Sequence, residues 1–127
     1  MPEKHLYEYA VIRVVPGVER EEFFNAGVIV YCAFQRFLQL RYCVDEQKLR
    51  IFSGKAEAED IRERLQAFQK ICAGGAAGGP IGQLPLASRF RWLIAARSTI
   101  IQTSPVHPGL CADAETTLQE LFRKLVG

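Results

Sequence analysis

The chain of 127 residues has few of the residues that build metal centres and no hydrophobic run long enough to cross a membrane. It contains four cysteines and two histidines, and no two cysteines form a Cys-x-x-Cys pair. Only His107 and Cys111 lie close together, whereas a structural zinc site needs four ligands. No apolar run approaches the roughly 18 residues that span a bilayer, and no targeting signal opens the chain. We therefore predict a cytoplasmic protein without a metal or other cofactor.

The chain also lacks a strong charge of either sign. Sixteen basic and fourteen acidic residues leave a net charge of +2, which is too small to indicate a nucleic-acid or membrane partner. The aromatic and basic motif of RNA-binding sheets is missing, as is a helix-turn-helix with a basic recognition helix. The sequence therefore argues against binding to nucleic acids or membranes.

The hydrophobic pattern predicts a single α+β domain over residues 1–127, with a mainly antiparallel sheet of about four strands and three to four helices. A split βαβ arrangement of the ferredoxin-like type fits this order. Two strands are apolar on both faces, so we expect the sheet to be covered on both sides or buried in a dimer. The predicted strands are Leu6–Val15, Val28–Ala33, Phe37–Val44 and Ser98–Thr103. The predicted helices are Val18–Phe24, Ala56–Ala73, Pro85–Arg97 and Ala114–Val126.

The two long helices have recognisable ends and buried stripes. Ser53 is a plausible N-cap of the first, Gly74 a plausible end, and Asp113 a plausible N-cap of the last helix. The segment Gly74–Pro80 follows a helix and lacks the lysine of a phosphate-binding loop, so it is expected to be a flexible connector. The helical spacing predicts a core that includes Leu65, Phe68, Leu93, Leu121 and Phe122.

The predicted hairpin also bears on the cysteines. With its turn near Gln35, Cys32 would face residues near Leu38, and Cys43 would lie opposite Gly27. The two thiols would then be beyond the reach of a disulfide. We expect all four cysteines to be free thiols, in keeping with a reducing cytoplasm.

The segment from Arg97 to Cys111 is the densest cluster of chemically versatile side chains in the sequence. It predicts a bound anion near Ser104–Asp113, where backbone amides lead into a helix N-terminus, with Arg13 or Arg97 reaching in. Arg13 matters because it lies in an otherwise apolar strand, where a buried charge needs a partner. The candidate ligand-binding residues are Arg13, Arg97, Ser98, Thr99, Gln102, Ser104 and His107.

Plainer roles for the same residues remain open. Arg13 could pair with Glu8 or Glu22, and the Ser and Thr side chains could satisfy turns. Cys111, close to His107 and to the start of the last helix, could be an activated thiol or simply a packing residue. Because neither a second base nor an oxyanion hole is evident, the sequence assigns no catalytic residue.

Several segments resemble a bacterial family of domains of unknown function, numbered 3037. The resemblance covers nearly all of the chain and rests on Tyr9–Pro16, Glu22–Val28, Cys32, Arg97–Gln102 and Ser104–Val106. Ala26 stands where the family often carries a different small residue. No activity is attached to the family, so the resemblance implies no catalytic residue. Its members are often encoded beside a HipA-like kinase, which implies an accessory or regulatory role and shows nothing about mechanism.

These observations lead to two hypotheses about function. The first is a non-catalytic accessory or regulatory protein that binds another protein, such as a HipA-like kinase, or a second copy of itself. The alternative is a domain or enzyme that binds an anion or a phosphorylated small molecule around residues 97–111.

Overall fold

Strands and helices combine in one sheet-centred architecture. The structure is a computed structural model, and it describes residues 3–17, 22–45, 47, 55–95 and 100–126. Within these ranges, five strands form one sheet: β1 His5–Gly17, β2 Glu22–Cys32, β3 Phe37–Tyr42, β4 Ile101–Thr103 and β5 His107–Cys111. Four helices accompany them: α1 Lys55–Ala73, α2 Gly79–Gly82, α3 Leu86–Leu93 and α4 Ala114–Leu125. The predicted α+β class is confirmed.

The strand order is β3-β2-β1, and both β4 and β5 pair with the remaining edge of β1. Every pairing is antiparallel. The split βαβ arrangement is therefore wrong, because that topology separates the first two strands, whereas β1 and β2 are bonded neighbours here. The predicted helix Val18–Phe24 is also wrong where it can be compared. Phe23 and Phe24 belong to β2, and residues 18–21 lie outside the described ranges.

Helices cover both faces of the sheet, as the apolar strands predicted. On the first face, called the α1 face, α1 and α3 pack against alternate residues of the strands. On the second, called the α4 face, α4 packs on β2 and β3. The α1 face buries Ala10, Ile12, Val14, Ile29, Leu38 and Leu40 against Ile61, Leu65, Phe68, Phe90 and Leu93. The smaller core of the α4 face contains Val28, Val30, Cys32, Cys111, Ala114 and Leu118.

The helix predictions are largely confirmed, with corrections at their margins. The α1 stripe is buried, Gly74 has a φ of 80° just beyond the helix, and Asp113 caps α4 by accepting a bond from the Thr116 amide. Leu121 and Phe122 are only partly buried. Ser53 lies outside the described ranges, and α3 ends at Leu93, so the predicted extension to Arg97 is not found up to residue 95.

The glycine-rich segment after α1 is not an unstructured connector. Residues Ala76–Gly78 form a 3₁₀ turn, and α2 follows directly. The Gly75 amide donates to the Gly82 carbonyl at 2.9 Å, which closes the segment on itself. A Cβ at Gly82 would lie 2.7 Å from the Gly75 oxygen, so this close approach requires glycine. No helix of the described ranges is long and apolar enough to cross a membrane.

Candidate functional site

Arg13 lies near the end of β1, on the α4 face, and is partly buried as predicted. Its guanidinium carbon sits 4.4 Å from the centre of the Phe23 ring, an exposed side chain on β2. The Arg13 Nε is buried, and no described residue accepts a hydrogen bond from it. Since a buried donor without an acceptor costs about 1–3 kcal/mol, this nitrogen is a position where an acceptor from outside would stabilise the protein.

Two amide side chains flank Arg13 across the sheet. Asn25 on β2 and Gln102 on β4 are its register partners, so the three residues form a row over neighbouring strands. The Asn25 Nδ2 donates to the Leu125 carbonyl at the end of α4. Each residue of this row belongs to one of the segments that carry the family resemblance. The row joins parts of the sequence that are up to 89 positions apart.

Neither carboxylate that the sequence offered for Arg13 forms a described ion pair with it. Glu8 faces the other side of the sheet by strand alternation, opposite Tyr31, and the side chain of Glu22 lies outside the described part. The carbonyls at the end of α4, one of which accepts from the neighbouring Asn25, carry a partial negative charge. Within the described part of the chain, the Arg13 Nε has no acceptor.

Ser104 has a structural role, because it forms hydrogen bonds with the backbone of β1. It lies in a β-bulge between β4 and β5, where three residues (104–106) lie opposite two residues of β1. The Ser104 amide donates to the Val11 carbonyl at 2.8 Å, and the Ser104 Oγ accepts from the Val11 amide at 2.8 Å. The same hydroxyl donates to the Pro105 carbonyl at 2.9 Å. The side chain therefore replaces the missing ladder bond of a bulge, and its hydrogen is already used.

His107 is separated from Arg13 along the sheet. It pairs with Tyr9, and the two rings lie 5.3 Å apart between centres. Four residues of strand separate Tyr9 from Arg13, which corresponds to about 13 Å. The structure therefore does not bring His107 and Arg13 together at one small anion.

The start of α4, where an anion was expected, is occupied by the protein itself. Gln35 from the hairpin turn accepts from the Ala114 amide at 2.8 Å, and Asp113 accepts from the Thr116 amide at 3.1 Å. These hydrogen bonds from Thr116 lower the pKa of Asp113. Its carboxylate already supplies the negative charge that a helix N-terminus favours. The remaining predicted site residues, Arg97, Ser98 and Thr99, lie outside the described ranges.

The alternative of an activated thiol at Cys111 is not supported by its surroundings. Burial raises the pKa of Cys111, with the nearby Cys32 thiol adding to the effect. An activated thiol needs the opposite shift. Cys111 and His107 stand at opposite ends of β5, about 13 Å apart, so the imidazole is not placed to take the proton. All four cysteines are free thiols, as expected.

The sequence interpretation missed an apolar surface at the end of the sheet where β1 begins, called here the end surface. Its members Leu6, Phe34 and Leu110 are 60%, 71% and 66% exposed, the highest values among the exposed large hydrophobic residues described. Leu6 pairs with Leu110 across β1 and β5, and Phe34 stacks on His5 with ring centres 3.8 Å apart. Leu6 and Phe34 also line a common depression of about 330 Å³, together with the charged residues Lys4 and Glu8.

Sequence reasoning overlooked this surface because β5 was not recognised. Pro108 and Gly109 are residues that strands disfavour, so the segment read as a loop. A Cβ at Gly109 would lie 2.5 Å from the Tyr7 ring, which shows why glycine is needed beside that strand. A second omission concerns Arg36 and Arg89, which line one groove of about 440 Å³ together. Among the described residues, no group of three or more potential ligands is arranged to hold a metal ion.

Comparison with known proteins gives a family and no activity. No curated protein and no solved structure matches the chain significantly. One family model, described as a protein of unknown function (DUF3037), matches residues 9–126, which is nearly the whole chain. This range includes the row of Arg13, Asn25 and Gln102 and both strands that pair with the far edge of β1. The chain therefore belongs to the DUF3037 family of proteins of unknown function.

Proposed function

We propose that this protein is a non-catalytic accessory or regulatory module that binds another protein through its end surface. The observation that carries the proposal is the clustering of the three most exposed large hydrophobic side chains, Leu6, Phe34 and Leu110, at one end of the sheet. Contiguous apolar surface of this kind marks binding sites for proteins. Its free thiols fit a role in the reducing bacterial cytoplasm.

The energetics fit a moderate interaction. Full burial of a leucine or phenylalanine contributes about 1.5–3 kcal/mol, so three side chains that are about two-thirds exposed offer roughly 3–6 kcal/mol in total. A micromolar complex needs about 8 kcal/mol beyond the cost of association. The partner must therefore add polar contacts around the apolar centre.

The charged residues of the end surface indicate which polar contacts the partner makes. Lys4 and Glu8 lie beside the apolar depression, one of each sign. The matching partner inserts an apolar side chain and presents an acidic group to Lys4 and a basic group to Glu8. A HipA-like kinase is the first partner to test, because the family resemblance implies it. A second copy of the chain is the alternative occupant.

The experiment compares two variants in which exposed leucines are replaced. The double variant Leu6→Gln and Leu110→Gln removes the apolar centre, and Leu84→Gln is the matched control because Leu84 is exposed outside this surface. Isothermal titration with the purified kinase should show at least tenfold weaker binding for the double variant and little change for the control. Sedimentation over a range of concentrations tests self-association with the same proteins.

Two results would refute this assignment. Unchanged affinity in the double variant means that the partner docks elsewhere. A wild-type chain that neither binds the kinase nor associates with itself at high micromolar concentration has neither proposed partner. If only self-association is lost in the double variant, the end surface is a dimer interface.

Arg13 supports a second candidate, the binding of an anion or phosphorylated small molecule. The specific observation is the buried Nε, for which the described residues supply no acceptor; the guanidinium also lies over the Phe23 ring. A ligand that binds the folded state raises the melting temperature. We expect a nucleotide or sugar phosphate to do so for the wild type and not for Arg13→Met, a change that keeps bulk and removes charge. A screen without any stabilising anion would exclude this candidate.

A further inference from the structure

The groove that contains Arg36 and Arg89 runs beside β3, at one edge of the sheet, and is called here the β3 groove. Within the described ranges β3 pairs only with β2, so its other edge has backbone donors and acceptors that no described strand uses. The groove is also lined by Leu38, Leu40 and Leu86. Its volume of about 440 Å³ lies in the range of ligand sites.

The charge of the β3 groove is of one sign. Its described lining contains two arginines and two glutamines, Gln39 and Gln69, but no aspartate or glutamate. The groove thus combines three leucines, a strand edge that no described strand uses, and positive charge.

Arg89 is held rigidly at one side of this groove. Its Nε donates to the Leu84 carbonyl at 3.0 Å, and its Nη1 donates to the Ile71 and Cys72 carbonyls at 3.0 and 2.8 Å. A Cβ at Gly74 would lie 2.7 Å from Nη1, so glycine makes room for the guanidinium. The second terminal nitrogen, Nη2, takes part in none of these bonds. Arg89 is therefore a preorganised donor, whose orientation needs no further entropy loss on binding.

Arg36 stands in a backbone conformation that arginine rarely adopts. Its φ is 51°, the only positive value among the described residues other than glycine. Glycine is the usual residue at such a position of a hairpin turn, because a side chain is strained there. An arginine at this place lowers stability, and its side chain lines the β3 groove. Such strain is characteristic of residues that serve a binding site.

We propose that the β3 groove binds an extended peptide segment of a partner protein, which adds a strand to the edge of β3 and places a carboxylate between Arg36 and Arg89. Strand addition uses the backbone groups of β3 that no described strand uses, and alternate side chains of the peptide contact the leucines of the groove. The two arginines donate charge-assisted hydrogen bonds to the carboxylate. This site is separate from the end surface, since Phe34 and Arg36 belong to different depressions around the hairpin turn.

The test selects peptides from a displayed library of random octapeptides with the full-length protein as bait. Selected peptides should share an acidic residue at one position. Fluorescence anisotropy with a labelled selected peptide then compares three substitutions of Arg36. We expect Arg36→Asn and Arg36→Gly to weaken binding at least tenfold, because both remove the charge. Arg36→Lys keeps the charge but loses the planar fork of the guanidinium, so it should weaken binding less than Arg36→Gly does.

The controls separate this role from a structural one. Arg91→Gln removes the same charge from an exposed position of α3 outside the groove and should leave affinity unchanged. Arg36→Gly should also raise the melting temperature by about 4 °C, because glycine relieves the strained backbone. A variant that gains stability while it loses binding identifies a ligand contact.

Three outcomes would overturn the proposal. The first is a selection without acidic enrichment. The second is a selected peptide whose affinity does not depend on Arg36. The third is a backbone N-methylated peptide, or free N-acetylglutamate, that binds as tightly as the original peptide, since neither can form the added strand. None of these results bears on Leu6 or Leu110, so the two proposals can fail independently.

Discussion

Replacement of Ser104 by alanine tests whether this predicted ligand-binding residue has a structural task. The Ser104 Oγ accepts from the Val11 amide at 2.8 Å across 93 positions of sequence, and Ser104 is only 4% exposed. Ser104→Ala leaves the Val11 N–H buried among apolar residues without this acceptor. The loss of such a partner costs about 1–3 kcal/mol, more than the lost hydroxyl contact itself. We expect a fall of about 2 kcal/mol in the free energy of unfolding.

Urea denaturation followed by circular dichroism measures this change. The midpoint should fall while the slope m stays constant, because the amount of surface exposed on unfolding is the same. Each loss of 1 kcal/mol in the free energy of unfolding should lower the melting temperature by roughly 4 °C in a domain of this size. Hydrogen exchange adds a local readout, since the Val11 amide should exchange faster in the variant than in the wild type.

Ser88→Ala is the matched control. It removes the same hydroxyl from a partly buried position of α3, where alanine favours the helix, so stability should be unchanged or slightly higher. A loss below about 0.5 kcal/mol for Ser104→Ala, with unaltered exchange at Val11, would refute the bulge-bridging role. Ser104 would then again be available as a ligand-binding side chain.

Three further predictions concern thiols, packing and pH. Cys43 is the one exposed cysteine, so a thiol reagent should label it quickly in the native protein. Cys72 should react slowly, because burial raises its pKa to about 12. Rapid labelling of all four thiols would contradict the buried positions. Phe68→Ala should lower the free energy of unfolding by about 3–5 kcal/mol and Phe122→Ala by clearly less, because Phe68 is buried and Phe122 only partly so. Equal losses in urea titrations would contradict the partial burial of Phe122 on α4. The folded-state pKa of Asp113 is lowered, so the contribution of its carboxylate to folding stability is present above the unfolded pKa of about 3.9 and is lost as pH falls through the folded value. Asp113→Asn should therefore reduce the loss of stability at acid pH. An unchanged loss in the variant would contradict this.

The sequence by itself determined the elements whose signals are local. The α1 stripe from Ile61 to Cys72 repeats at helical spacing, and burial follows from that repeat alone. Asp113 and Gly74 marked helix ends because a side-chain acceptor and a positive φ are properties of single residues. The hairpin of β2 and β3 was predicted for the same reason, since its turn is short.

Only the tertiary structure decided the elements that depend on distant partners. Residues Phe23 and Phe24 followed a helix-like run, yet pairing with β1 makes them strand. The segment of Pro108 and Gly109 became β5 because β1 offers an edge, against the local preference of both residues. Long-range hydrogen bonding overrides weak local propensity in both cases.

The candidate sites, too, were predicted from the sequence only in part. Strand alternation alone placed Arg13 on a partly buried face. Only the folded chain shows that Asn25 and Gln102 flank it and that no described residue accepts from its Nε. The β3 groove joins the hairpin turn with α1 and α3, and the end surface joins β1, β5 and the same turn. No local pattern encodes such surfaces. They arise from the packing of segments that lie far apart in the sequence.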